Sequence, residues 1–116
     1  MARTFQRLEK HVYYVGELLL VESSTPYTPL QTMYFKSARI TLDAGPQGAG
    51  NTIVSIIRNG NVNDIIYSTS FAAGETSKTL STEATLNAGD TMSLNVSSVA
   101  DTSGGSDLVF ALEYHH

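Results

Sequence analysis

Residues 53–67 read IVSIIRNGNVNDIIY, two short apolar runs hinged on Asn59-Gly60. A two-residue type I′ turn needs positive φ at both central positions, and Asn-Gly meets that need at low steric cost. The dipeptide predicts a β-hairpin whose strands are Ile53–Ile57 and Val62–Tyr67. The first of these is apolar on both faces, which places it at the centre of a sheet or beneath an oligomer interface.

Outward from the hairpin the same pattern repeats. From Ala38 to Tyr114 apolar and polar residues alternate in short runs, cut at Asp43-Ala44-Gly45-Pro46, Ala73-Gly74-Glu75, Asn87-Ala88-Gly89-Asp90 and Ser103-Gly104-Gly105. Met92, Leu94 and Val96 are expected to face inward, with Ser93, Asn95 and Ser97 outward. Leu108, Phe110, Leu112 and Tyr114 form a second inward set, and Tyr34, Ala38, Ile40 and Leu42 a third. Regular short strands with no helical period between them indicate an all-β protein, an antiparallel β-sandwich or barrel.

The 116 residues are enough for one domain with a substantial core. There is no cysteine, so neither a disulfide framework nor a thiolate metal site is available. No apolar run approaches the roughly 20 residues of a membrane helix, since Leu18-Leu19-Leu20-Val21 lies between Glu17 and Glu22. No membrane partner is expected. Nor does an apolar segment follow the early cations at signal-peptide position, so synthesis in a cytoplasm without secretion by that route is expected. Residues 1–40 carry five cations against three carboxylates, whereas residues 41–116 carry two against eight. An acidic β-body argues against a nucleic-acid face.

Residues 1–33 differ from the body at 34–116. His11-Val12-Tyr13-Tyr14-Val15 and Glu17 to Val21 read as extended or edge segments divided by Gly16, and Ser23 to Pro29 is a polar stretch with two prolines that reads as an extended linker. Ordering about 30 residues costs on the order of 30–60 kcal/mol of backbone entropy. Burying roughly 1,200–2,400 Å² of apolar surface would offset that, an area typical of obligate interfaces. The expectation is therefore an extended N-terminal arm ordered along a neighbouring subunit. The competing reading adds the arm to its own sheet. Arm contacts are assigned to Phe5, Val12, Tyr13, Tyr14, Leu18, Leu19, Leu20 and Tyr27, and a body or oligomer seam to Ile53, Ile56 and Ile57.

Chemistry-bearing residues are sparse. No Gly-x-Ser-x-Gly elbow is present, and His11 is the one histidine before the terminal His115-His116 pair. No catalytic residue, cofactor or metal is assigned. Asp43, Asp90, Asp101 and Asp107 fall at turns and could converge on calcium, but Asp favours turns on its own account. Asn95-Val96-Ser97 fits a glycosylation acceptor yet lies in mid-strand. Tyr67, Phe71 and Tyr114 are expected in the core, which leaves no platform for carbohydrate in the body.

Taken in order, Ile40-Thr41-Leu42-Asp43, Gly45-Pro46-Gln47-Gly48, Ile53-Val54-Ser55-Ile56, Asn59-Gly60, Ala73-Gly74-Glu75-Thr76-Ser77, Leu86-Asn87-Ala88-Gly89-Asp90 and Gly105-Ser106-Asp107-Leu108 resemble a jelly-roll module of tailed-bacteriophage virion proteins. The resemblance spans Ile40 to Tyr114 and leaves out residues 1–33. Modules of that kind serve as capsid cement or decoration proteins, as head fibres, and as parts of tail fibres or spikes. They are often trimeric, and some bind glycans. The resemblance thus implies a non-enzymatic virion protein whose partners are the major capsid protein or other virion proteins. A homo-oligomer is implied, a trimer ahead of a dimer. A glycan-binding module of a fibre, spike or baseplate is the alternative.

Overall fold

The Asn59-Gly60 turn forms as its dipeptide requires, with φ of 55° at Asn59 and 66° at Gly60. It belongs to a computed structural model that describes residues 8–20 and 26–116. The strands are β1 (Leu8–Glu17), β2 (Met33–Ala44), β3 (Thr52–Arg58), β4 (Asn61–Phe71), β5 (Ser77–Leu80), β6 (Ala84–Leu86), β7 (Met92–Ser98) and β8 (Ser106–His115).

One sheet has the order β1-β8-β2-β5, with β6 also on β2, and the other has the order β4-β3-β7. All pairings are antiparallel. The inner faces meet in one core. Phe35, Ile40, Leu108, Phe110 and Leu112 from the first sheet pack with Val54, Ile56, Tyr67, Phe71, Leu94 and Val96 from the second. Tyr67 lies at its centre, 6.1 Å from Phe35 and 6.4 Å from Phe110 between ring centroids. Both separations fall in the range of favourable aromatic pairs. The protein is an antiparallel β-sandwich.

Three expectations change. Tyr34 does not join the inward set of β2. A bulge between Phe35 and Ser37 shifts the register, so Met33 and Phe35 point inward and Tyr34 is exposed. One extra residue reverses the side-chain alternation on either side of it. Ser93 and Asn95 face away from the core as expected, yet both are buried, as are Ser55 and Ile57 on the same face of β3. These four positions are covered, while Ile65, Ser68 and Ser97 on the same face stay exposed. Asn95 therefore sits as a buried strand residue, not as an open acceptor.

The third change concerns the arm. From Leu8 to Tyr14 every residue pairs in register with β8, Leu8 opposite Tyr114 and Tyr14 opposite Leu108. This stretch is an edge strand of the chain's own sheet, which is the competing reading of the arm. The strand gives β8 a partner on both sides and brings Val12 and Tyr14 against the core. Apolar contact within the chain thus offsets the ordering cost. Farther on, Tyr27 exchanges two backbone hydrogen bonds with Met92, at 2.8 and 2.9 Å. The Lys10 ammonium lies 3.9 Å from the centroid of the Tyr27 ring. This cation–π contact spans from β1 to the edge of β7.

Turns distant in sequence meet at one end of the sandwich. Gly74 N–H donates to the Pro46 carbonyl at 2.9 Å, Gln47 bridges to Ser103, and Ala49 N–H donates to the Asp101 carboxylate at 2.8 Å. The exit of β1 is fastened there too. Gly16 N–H donates to Asp107 Oδ1 and Leu18 N–H to the Gly105 carbonyl, each at 2.8 Å.

Candidate interaction surface

The backbone of β1 sets the geometry of this surface. Its inner edge is paired with β8, and among the described residues no strand pairs with its outer edge. An unpaired edge offers a row of N–H and C=O groups to any incoming strand. Alternation sends Val12 and Tyr14 to the core and Tyr13 and Val15 outward. Tyr13 is 61% exposed and Val15 88%, and beyond the bulge Leu19 is 59% and Leu20 67% exposed. Four large apolar side chains thus face solvent on and just after one edge strand.

A polar row runs along the same face. Tyr13 Oη lies 3.0 Å from His11 Nδ1, and His11 Nε2 lies 3.0 Å from Glu9 Oε2. Glu9 stands directly opposite Glu113, whose carboxylate accepts a hydrogen bond from Ser37 Oγ at 3.2 Å. A shallow depression of about 250 Å³ crosses the strands here, lined by Glu9, Ser37, Arg39, Thr79, Ala111 and Glu113. Two like charges placed opposite one another repel, and the chain's own Arg39 lines the same depression. His11 is held between two partners, but all three side chains of the row are open to water. The row orients an imidazole without excluding solvent from it.

The expected interface residues divide. Tyr13, Leu19 and Leu20 are exposed. Val12, Tyr14 and Tyr27 are half-buried and pack on the core, and Leu18 belongs to it outright. Ile56 and Ile57 are fully buried within the chain and Ile53 is half-buried, the body alternative of the two readings for these residues. A side chain with no exposed surface in the single chain has none to give a partner. Phe5 lies outside the described residues. Val15 is the member that sequence missed. An uninterrupted apolar run gives no alternation from which to choose a face, and only the pairing with β8 selects it.

The turn carboxylates have local duties. Asp101 holds Ala49, Asp107 holds Gly16, and Asp90 Oδ1 lies 3.4 Å from Asn59 Nδ2. Among the described residues no three His, Asp or Glu side chains come together to hold a metal ion. At the far end of the first sheet Tyr34 stacks on His115, with centroids 5.3 Å apart and planes 25° from parallel. A depression of about 220 Å³ beside this pair is rimmed by Lys36, Glu83 and Thr85.

No family model, no curated protein and no solved structure matches the chain.

Proposed function

We propose that the protein is a structural virion component of the capsid cement or decoration type, which fastens neighbouring capsid subunits through the outward face of β1 and its exit. The observation that carries this reading is the exposed apolar group Tyr13, Val15, Leu19 and Leu20 on an otherwise acidic body. Apolar side chains grouped beside an unpaired strand suit burial against another protein. The order of turn motifs from Ile40 to Tyr114 supplies the virion context, by its resemblance to phage jelly-roll modules.

The folded form of β1 dictates the experiment. Deleting residues 1–33 would remove an edge strand together with Leu18 and the Lys10–Tyr27 contact, so loss of attachment could follow from unfolding alone. Leu19→Lys with Leu20→Lys instead changes two solvent-facing side chains. Cosedimentation with shells of the major capsid protein that this proposal takes as the partner is the readout. The parent should sediment with shells, and the double variant should stay in the supernatant with an unchanged melting temperature. Failure of the parent to sediment would overturn the proposal.

A second reading, glycan binding, draws on the stacked Tyr34–His115 pair and its polar rim. An exposed aromatic beside charged and hydroxyl groups is what a sugar ring needs. This reading predicts retention on host surface polysaccharide that Tyr34→Ala abolishes and the Leu19/Leu20 variant keeps.

A further inference from the structure

The dipeptide that builds the β3–β4 turn is also the most labile point of the backbone. Six asparagines are present, and Asn59 is the one followed by glycine. An asparagine carboxamide is open to attack by the backbone nitrogen of the next residue, and glycine, having no β-carbon, shields that nitrogen least. In the reaction the Gly60 nitrogen bonds to Asn59 Cγ and the Cγ–Nδ2 bond breaks. The amide group departs as ammonia, taking up by way of water the proton that the Gly60 nitrogen loses. Closure gives a five-membered succinimide. Water then opens the ring at either carbonyl, to aspartate or to isoaspartate, whose main chain runs through the side-chain carbons. No oxidant, reductant or cofactor enters.

The folded turn withholds each part of that reaction. Ring closure requires the Gly60 nitrogen to lie on the side of Asn59 Cβ. Asn59 and Gly60 have φ of 55° and 66° between the paired residues Arg58 and Asn61, the type I′ arrangement. The first central residue of such a turn has ψ of about 30°, which directs the next nitrogen away from Cβ. The carboxamide is held at both ends as well. Its Oδ1 accepts from Thr91 N–H at 2.9 Å, and Nδ2 lies 3.4 Å from Asp90 Oδ1. Asn59 N–H in turn donates to the Thr91 carbonyl at 2.8 Å. Attack therefore requires Thr91 to release Oδ1 and the backbone to rotate, which opens the end of the hairpin. Access of water is no obstacle, because Asn59 and Gly60 are both exposed.

We infer that Asn59 is a self-modification site gated by opening of the β3–β4 turn, and that its conversion unfastens this turn from β7. Aspartate at position 59 keeps an oxygen for Thr91 but sets a carboxylate against Asp90 where an amide donor stood. Like charges so placed repel. Isoaspartate adds a carbon to the main chain inside a two-residue loop, so Arg58 and Asn61 no longer meet in register. The disturbance reaches β7, since Thr91 precedes Met92, which holds Tyr27 through two backbone hydrogen bonds. The step is irreversible, so the hairpin records how often it has opened.

Peptide mapping by mass spectrometry reads the conversion in mildly alkaline buffer, for the folded parent and for the parent unfolded in guanidinium. In the unfolded chain Asn59 should convert ahead of the five other asparagines. In the folded chain it should convert at least about tenfold more slowly, because opening breaks both Thr91 bonds. Guanidinium below the unfolding transition should raise that rate in step with hydrogen exchange at the Thr91 amide. Asn59→Asp supplies the charge of the product directly. This variant should melt below the parent, and Asp90→Asn added to it should restore the melting temperature. Equal rates in folded and unfolded chains, conversion that ignores Thr91 exchange, or an Asn59→Asp variant that melts with the parent would each overturn the inference. No capsid partner enters these measurements, so they and the assembly reading fail separately.

Discussion

The backbone N–H of Gly16 donates to the carboxylate of Asp107 at 2.8 Å, joining residues 91 positions apart. Asp107 itself has φ of 54°, a left-handed conformation that asparagine and aspartate tolerate better than most residues. The bond closes the end of β1 onto the start of β8. It therefore decides where the free edge stops and where the chain turns toward Leu18.

Asp107→Ala removes a charge-assisted acceptor and places a β-carbon residue without a helpful side chain at positive φ. The expected loss is about 2–3 kcal/mol. Asp107→Asn keeps an oxygen acceptor and the backbone preference, and should lose less than half as much. Urea midpoints measure both, and amide exchange should accelerate at Gly16 in the alanine variant.

Gly104 and Gly50 separate contact from conformation. A β-carbon on Gly104 would lie 2.5 Å from the Leu18 carbonyl oxygen and 3.1 Å from Val99, whereas one on Gly50 meets nothing within 4 Å but has φ of 82°. Gly104→Ala must push back a backbone that carries the buried Leu18, and should cost about 2–3 kcal/mol. Gly50→Ala should cost only about 1 kcal/mol, the strain of its left-handed φ. Thermal melts of the two variants should differ accordingly.

Burial, and then the charge of Glu83, push the Tyr67 phenol up to about 12 from its ordinary 10.0. Its hydroxyl donates to the Thr82 carbonyl at 2.5 Å. The folded chain holds this proton more tightly than the unfolded chain does. Stability from this group is thus fully present below pH 10 and is lost as pH rises from 10 toward 12. The loss should approach roughly 2–3 kcal/mol. Stability of Tyr67→Phe should show a correspondingly weaker fall across that window.

Ile57 distinguishes a core position from a seam. It is fully buried within one chain. Ile57→Ala should therefore cost about 2–5 kcal/mol, with the loss independent of protein concentration. A loss that changed with protein concentration would return Ile57 to an interface.

Much of the sandwich is legible in the chain. Asn59-Gly60 specifies its turn through local sterics, and Leu108, Phe110 and Leu112 alternate because one face of β8 meets the core. The interaction surface is legible only in part. Tyr13, Leu19 and Leu20 are found by composition, but composition cannot separate them from Val12, Tyr14 and Leu18, which are equally apolar and point the other way.

By itself the sequence determines that this is a cysteine-free, all-β chain folded as an antiparallel sandwich, because turn chemistry and period-two alternation are local properties. Tertiary structure alone decides that β1 lies on β8, that a bulge at Phe35–Ser37 turns Tyr34 outward, and that Ile57 is sealed within one chain. These outcomes depend on which distant strand supplies a partner and in what register. A residue's neighbours along the chain carry no information about that.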